Sequence, residues 1–336
     1  MENLQWIDDI LKVRRGGLRE PAVNTECCTK RETLPEGCVA VIMELLAKGA
    51  AENGCLKLQK AAEYFMNGSQ LPELSFEDAD EGTVAESLAE ALEEVGKLPE
   101  AERDFIKKSN CVTLGMALYI CAIAGRAIKT ADIAVSMNLE AIRGELGAFD
   151  KRLHELGRPY PGQIESAENV RRITAGSKLT TDEGRYAFGY DKKPRVQDAI
   201  CVRATPQTHG GVRDIFHWCV EQVVKDWDGR AHELYRTEYA MDALATALAD
   251  LAHTSERRSF RLCDTRLSYG LPMNLVPDEL GINYGFPIIQ STQAAETAEL
   301  KLLALPAAAI KRTDGPLAYY SVSKHFELIK KLNRVM

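Results

Sequence analysis

The chain has 336 residues and 45% hydrophobic side chains, enough to bury one large core or two ordinary ones, and it carries a formal charge of −7. Acids and bases are intermixed, so no long basic tract is available to neutralise phosphates, and nucleic acid is excluded as an expected partner. Nine cysteines with no C-x-x-C pair argue against a disulfide framework or a zinc knuckle and predict buried, reduced thiols.

The opening Met1–Asp9 is acidic and has no cationic flank leading into an apolar core, so the expectation is a cytoplasmic protein without a signal peptide. Cys27 and Cys28 are adjacent in a polar stretch, either a redox pair or plain loop residues. Thr33-Leu34-Pro35-Glu36 has the spacing of a capping box, and Val41, Ile42, Leu45 and Leu46 follow at helical period, predicting a helix that stops at Lys48-Gly49. Asn67 to Gly82 reads as a polar, acidic connection. Thr83-Val84-Ala85-Glu86 repeats the start signal, with Val84, Leu88, Leu92 and Val95 on one face and Gly96 as the stop.

From Asn110 to about Gly144 the chain is rich in alanine, isoleucine and leucine and free of proline, predicting one long helix, or two that meet near Gly125. Its most apolar part, Cys111 to Ala124, falls short of the roughly 18 residues that cross a bilayer, so a core helix and no membrane are expected. Lys178 to Arg195 reads as an exposed loop or short hairpin. Met241 to Arg261, amphipathic through Leu244, Ala247, Leu248 and Leu251, and Ser291 to Leu305 predict two more long helices. The basic end, His325 to Met336, reads as a surface helix end. The expected class is mostly α, without a convincing series of strands.

Three stretches in order resemble the C-terminal half of the histidine/phenylalanine ammonia-lyase family. They are Leu139-Glu140-Ala141-Ile142-Arg143-Gly144 with Phe149-Asp150, His154 and Tyr160-Pro161-Gly162-Gln163; Arg195-Val196-Gln197-Asp198-Ala199 with Arg203 and Pro206-Gln207-Thr208-His209-Gly210; and Ser255-Glu256-Arg257-Arg258, Gly270-Leu271-Pro272, Gly281-Ile282-Asn283-Tyr284-Gly285-Phe286 and Glu299-Leu300-Lys301. The resemblance implies a bundle of long helices of the ammonia-lyase/fumarase-like fold, assembled as a tetramer with sites spanning subunits. It divides the chain into a shortened N-terminal helical region, 1–109, and a central bundle, 110–336.

In that family an Ala-Ser-Gly tripeptide cyclises into methylidene-imidazolone, the electrophile that lets ammonia leave. No Ser-Gly dipeptide occurs here; Leu34 to Lys48 resembles the helix before the family's tripeptide loop, the resemblance matches Leu56 to Asn67 to the helix after it, and only Gly49 to Cys55 is left between them, so the loop reads as deleted. The family's N-terminal tyrosine segment has no recognisable counterpart before Leu34. The tyrosine three positions after the glutamine of Val-Gln-Asp is replaced by Ile200, which can neither donate a proton nor stabilise an anion. The family's Asn-Gly-Thr before the long helix is altered to Lys108-Ser109-Asn110.

The resemblance implies that Arg203 grips a substrate carboxylate by a two-pronged contact; the plainer reading is an internal salt bridge, for instance with Asp198. Gln197 and Asn283 are carried over as substrate-binding, Gln197 with the alternative of satisfying backbone at a helix start. Glu299 is carried over as the catalytic acid–base group, with an ordinary ion pair as the alternative. His209 reads as a satisfied structural histidine beside Gly210-Gly211, where small residues allow helices to approach. His217, Trp218 and Cys219 read as core or interface residues.

No phosphate-binding glycine loop, Gly-x-Ser-x-Gly elbow or His-Glu-x-x-His pair is present, so no cofactor and no metal are expected. Three functions remain open: a lyase acting on an amino-acid-like small-molecule carboxylate without methylidene-imidazolone; a subunit completing a site with a related chain that carries the electrophile; or a non-catalytic binding or scaffold homologue. The expected partners are accordingly the small molecule and a homotetramer or hetero-oligomer.

Overall fold

The computed structural model describes residues 33–68, 70–76, 81–187, 195–228, 233–276, 283–310 and 318–336. The expectations for Met1–Asp9, Cys27-Cys28 and Gly281-Ile282 lie outside them. The described elements are helical, and an isolated antiparallel bridge pairs Thr33 with Ser75. Two compact units are formed, one from residues up to Ile123 with Cys219–Asp242 and Pro306–Phe326, the other from Ala124–Trp218, Ala243–Leu305 and Glu327–Met336.

The first unit contains α1 (Glu36–Glu52), α2 (Leu56–Met66), α3 (Glu81–Glu93), α4 (Glu100–Lys108) and the start of α5 (Cys111–Ala141). Helix α1 is apolar around most of its circumference, and eleven of its residues are buried, which is the pattern of a helix enclosed by others. The capping box does not form. Pro35 occupies the cap without a side-chain hydrogen bond, because Thr33 is drawn into the bridge and the Leu34 amide donates to the Leu74 carbonyl at 2.8 Å.

Helix α1 also runs past Lys48-Gly49. Gly49 is buried under Phe105, whose Cζ would lie 3.2 Å from a Cβ there, so this glycine makes room for a ring and does not end the helix. The end comes at Asn53, whose side chain donates to the Gly49 carbonyl at 2.8 Å, and at Gly54, whose φ of +72° turns the chain. In α3, Val84, Leu88 and Leu92 are buried as expected, whereas Val95 lies beyond the helix and is exposed.

Helix α5 is a single 31-residue helix with no break at Gly125, where the Phe216 ring rests on the absent side chain at 3.0 Å. It is long and apolar enough to cross a membrane by length and composition, a correction to the shorter span read from the sequence. Yet 78% of its apolar stretch is buried within the fold, as in a core helix.

The second unit takes α5 from Ala124 onward, α6 (Pro161–Ile173), α7 (Asp182–Ala187) and α8 (Ile200–Arg203), followed by most of α9 (Thr205–Asp228), α10 (Tyr235–Cys263), α11 (Pro287–Leu303) and the end of α12 (Ala318–Val335). Val135, Leu139, Ile142, Phe149, Val170 and Val202 form a buried apolar cluster there. Part of the stretch read as a loop or hairpin, 178–195, is the short helix α7, and 188–194 lie outside the described residues. The C-terminal helix is not a surface end, because Leu328, Leu332 and Val335 are fully buried.

Helices α6 and α9 meet at two glycines. A Cβ on Gly162 would stand 2.3 Å from the Gly210 carbonyl oxygen, and one on Gly210 would stand 2.5 Å from the Gln163 backbone. Gly211 faces open space, so Gly210 alone carries the contact expected of the pair.

Candidate functional site

The segment from Arg195 to Arg203 is held from both ends. Arg195 pairs with Asp198 at 2.9 Å, both side chains almost wholly buried, and stacks its guanidinium 3.6 Å above the Tyr269 ring. Its NH2 also donates to the Ile142 carbonyl at 3.0 Å, and Asp198 accepts from the Glu145 amide at 2.6 Å. Between these anchors Val196 and Gln197 project outward. Gln197 is exposed and does not cap α8, whose N-cap is Ala199 without a side-chain bond. Ile200 is 69% exposed.

Arg203 closes α8. The salt bridge with Asp198 does not exist, because Arg195 takes that carboxylate, and among the described residues Arg203 makes no ion pair. Its Nε is buried without a hydrogen-bond partner. A half-buried guanidinium in this state favours an anion able to meet it.

Behind α8 lies a buried polar network that sequence reasoning did not assemble. His209 is fully buried, its Nδ1 2.7 Å from Asp132 Oδ1 and its Nε2 2.8 Å from the NH2 of Arg258. Asp132 also accepts from Ser166 at 3.0 Å, Asn169 at 2.9 Å and Arg213 at 2.5 Å, and Arg213 reaches on to Glu165 at 2.8 Å. Arg258 donates through Nε to the Cys201 carbonyl at 2.7 Å and through NH2 to Thr205 Oγ1 at 3.2 Å.

Burial, then the charge of Arg258, pushes His209 down to about 4, against the pull of Asp132. Burial acts to raise Asp132 but is outweighed by the His209 hydrogen bond and by Arg213, so its carboxyl lies below the usual range. Burial lowers Arg258 to about 10. Arg258 belongs to the Ser255–Arg258 stretch already singled out, but nothing local in the sequence links it to Asp132.

The other candidates lie apart from this network. The Asn283 side chain accepts from the Gly285 amide at 3.0 Å, closing a tight turn in which Gly285 takes φ +69°. Glu299 is 59% exposed and pairs with Lys331 at 2.5 Å; Lys331 also reaches Glu296 and Glu327. No hydrogen bond or ion pair joins Arg203, Gln197, Asn283 and Glu299 to one another among the described residues. No group of three or more His, Cys, Asp or Glu arranged to hold a metal occurs among them either.

A profile of the family described as aromatic amino acid lyase matches residues 83–232 and 229–313, well over half of the chain. The chain belongs to the aromatic amino acid lyase family. Among similar proteins, "Histidine ammonia-lyase 2" of Fusobacterium nucleatum is 37% identical over 213 residues, covering 58% of this chain and 40% of its own. The histidine ammonia-lyase of Koribacter versatilis is 34% identical over 284 residues, 74% of this chain and 53% of its own. This family member thus spans about half or less of the length of the curated relatives it matches.

The fold agrees with that of solved lyase-family structures. Tyrosine aminomutase from Streptomyces globisporus superposes with a TM-score of 0.81 at 20% identity, covering 99% of this chain and 72% of that one. Histidine ammonia-lyase from Trypanosoma cruzi gives 0.74 at 19% identity, covering 99% and 75%. Within this aromatic amino acid lyase family chain, Asn53, Gly54 and Cys55 are the only residues between α1 and α2, a tighter connection than Gly49 to Cys55. This connection contains no Ala-Ser-Gly sequence.

Proposed function

We propose that this chain is a lyase acting on an amino-acid-like carboxylate without methylidene-imidazolone. The observation that carries the reading is Arg203, a half-buried cation with an unsatisfied Nε and no ion pair among the described residues, at the position where the family resemblance puts a carboxylate anchor. Arginine suits that task because its planar fork meets both oxygens of a carboxylate at once. Gln197 and Asn283 are the further substrate contacts in this reading, and Glu299 the proton-transfer group. Without an electrophile to activate an amine, the substrate must carry a leaving group that departs with acid–base help alone.

The test is incubation of the purified chain with L-histidine, L-phenylalanine, L-tyrosine, L-aspartate and related carboxylates, following substrate loss and product mass. Turnover that disappears in Arg203→Ala supports the reading. Turnover unchanged in Arg203→Ala sinks it.

A second reading, a site completed by another copy or by a related chain, is favoured by α11. Its buried face is mostly polar, Gln293, Glu296 and Thr297 with Leu300, while Ile288, Ile289 and Leu302 are exposed. Large apolar side chains left outward in the first and last turns of a helix are matched to a further protein surface. Sedimentation analysis of the chain alone, compared with Ile288→Lys/Ile289→Lys, tests it: a monomer in both forms would reject assembly of the chain with itself.

A further inference from the structure

We propose that Asp132, His209 and Arg258 form a buried relay that positions Arg203, an inference that rests on the carboxylate-anchor reading. Helix α8 has four residues, too short to hold its own conformation through internal hydrogen bonds. Its placement is imposed from outside by Arg258, which grips the Cys201 carbonyl at 2.7 Å and the Thr205 hydroxyl at 3.2 Å, two positions before and two positions after Arg203. The Thr205 hydroxyl in turn donates to the Val202 carbonyl at 2.7 Å.

Arg258 can hold this bracket only if its own position is fixed, and His209 does that. A guanidinium has no acceptor, so the His209 Nε2 facing it at 2.8 Å must offer a lone pair, and the ring proton must sit on Nδ1, donated to Asp132 at 2.7 Å. The ring is therefore neutral with a single allowed tautomer. Complete burial and the facing charges of Arg258 from α10 and Arg213 from α9 keep it so, against the pull of Asp132 from α5. Ser166 and Asn169 from α6 fix the Asp132 carboxylate. Four long helices thus converge on one tautomer, and its output is the bracket around Arg203. His209 is a positioning residue here, not a catalytic one, because it touches no ligand-facing atom of Arg203.

The experiment uses the full chain with L-phenylalanine and L-histidine as carboxylate probes, measuring affinity by calorimetry and backbone amide exchange across residues 199–206 by mass spectrometry. Thr205→Val removes one arm of the bracket at nearly constant volume; His209→Leu removes the acceptor for Arg258; His209→Gln offers an amide oxygen in its place. The expected result is exchange in 199–206 accelerated about tenfold and affinity weakened about tenfold in Thr205→Val and His209→Leu, with substantial recovery in His209→Gln. If His209→Leu does not fold, Thr205→Val decides. Nitrogen-15 spectra should show His209 Nε2 unprotonated from pH 5.5 to 8, and a protonated Nε2 would overturn the relay. Arg203-dependent binding with unaltered exchange in the folded variants overturns the relay alone. Accelerated exchange with binding unchanged in Arg203→Ala overturns the anchor reading, and with it the relay's role in binding.

Discussion

Asp198 pairs with Arg195 at 2.9 Å, and this leaves Arg203, five positions further on, without that carboxylate. The two arginines in one short segment therefore have opposite energetic characters. One satisfies a buried partner, and the other carries its charge unmatched. Asp198→Asn should strand the buried Arg195 charge and lower stability by about 3–5 kcal/mol. Arg203→Met should change it by less than about 1 kcal/mol, because no internal pair is lost. Urea unfolding of both variants checks the contrast, and equal losses would contradict it.

The α6–α9 contact predicts an unequal response at neighbouring glycines. Gly210→Ala pushes a methyl group to 2.5 Å from the Gln163 backbone and should cost about 3 kcal/mol. Gly211→Ala meets open space and, by helix propensity, should stabilise by up to about 1 kcal/mol. Thermal melts of the two single variants measure the difference.

Stability should fall on acidification before the carboxylates titrate. His209 and His325 are fully buried, and burial above all holds both at about 4, below the value of roughly 6.5 in an unfolded chain. Between those values the unfolded chain binds protons that the folded chain refuses. The contribution is complete above pH 6.5 and is lost as pH falls towards 4, by about 3 kcal/mol for each ring. Unfolding free energies at pH 7.5 and pH 5 check the slope, and His209→Gln should remove about half of it.

Ile200, in place of the family's tyrosine, is exposed, so size is no obstacle at that position. Ile200→Tyr should leave the unfolding midpoint within about 0.5 kcal/mol of the parent. A larger loss would show that Ile200 is packed in the assembled protein.

Much of the scaffold was legible in the residues. Helical periodicity located α1, α3, α5, α10 and α11, and the order of short motifs pointed to the family. Ends were read less well. The capping box at Thr33 and the stop at Gly49 follow local rules, yet a backbone bridge to Ser75 displaced the first and the Phe105 ring overrode the second. The charge-bearing C-terminal stretch was misplaced on the surface because its buried Leu328, Leu332 and Val335 are visible as one face only when neighbouring helices cover them.

The sequence by itself determined the helical class, the family and the absence of an Ser-Gly pair, because these depend on residues near one another in the chain. Only the tertiary structure decided which charges are matched. Asp132 and His209 are 77 positions apart, and Arg258 lies 49 beyond His209. No local pattern encodes such pairs. They form because packed helices bring the groups into a dry interior, where an unpaired ion is costly and each must find its partner. Arg203 was recognisable by its place in a motif; that Asp198 leaves it unpaired was settled by Arg195 reaching that carboxylate first.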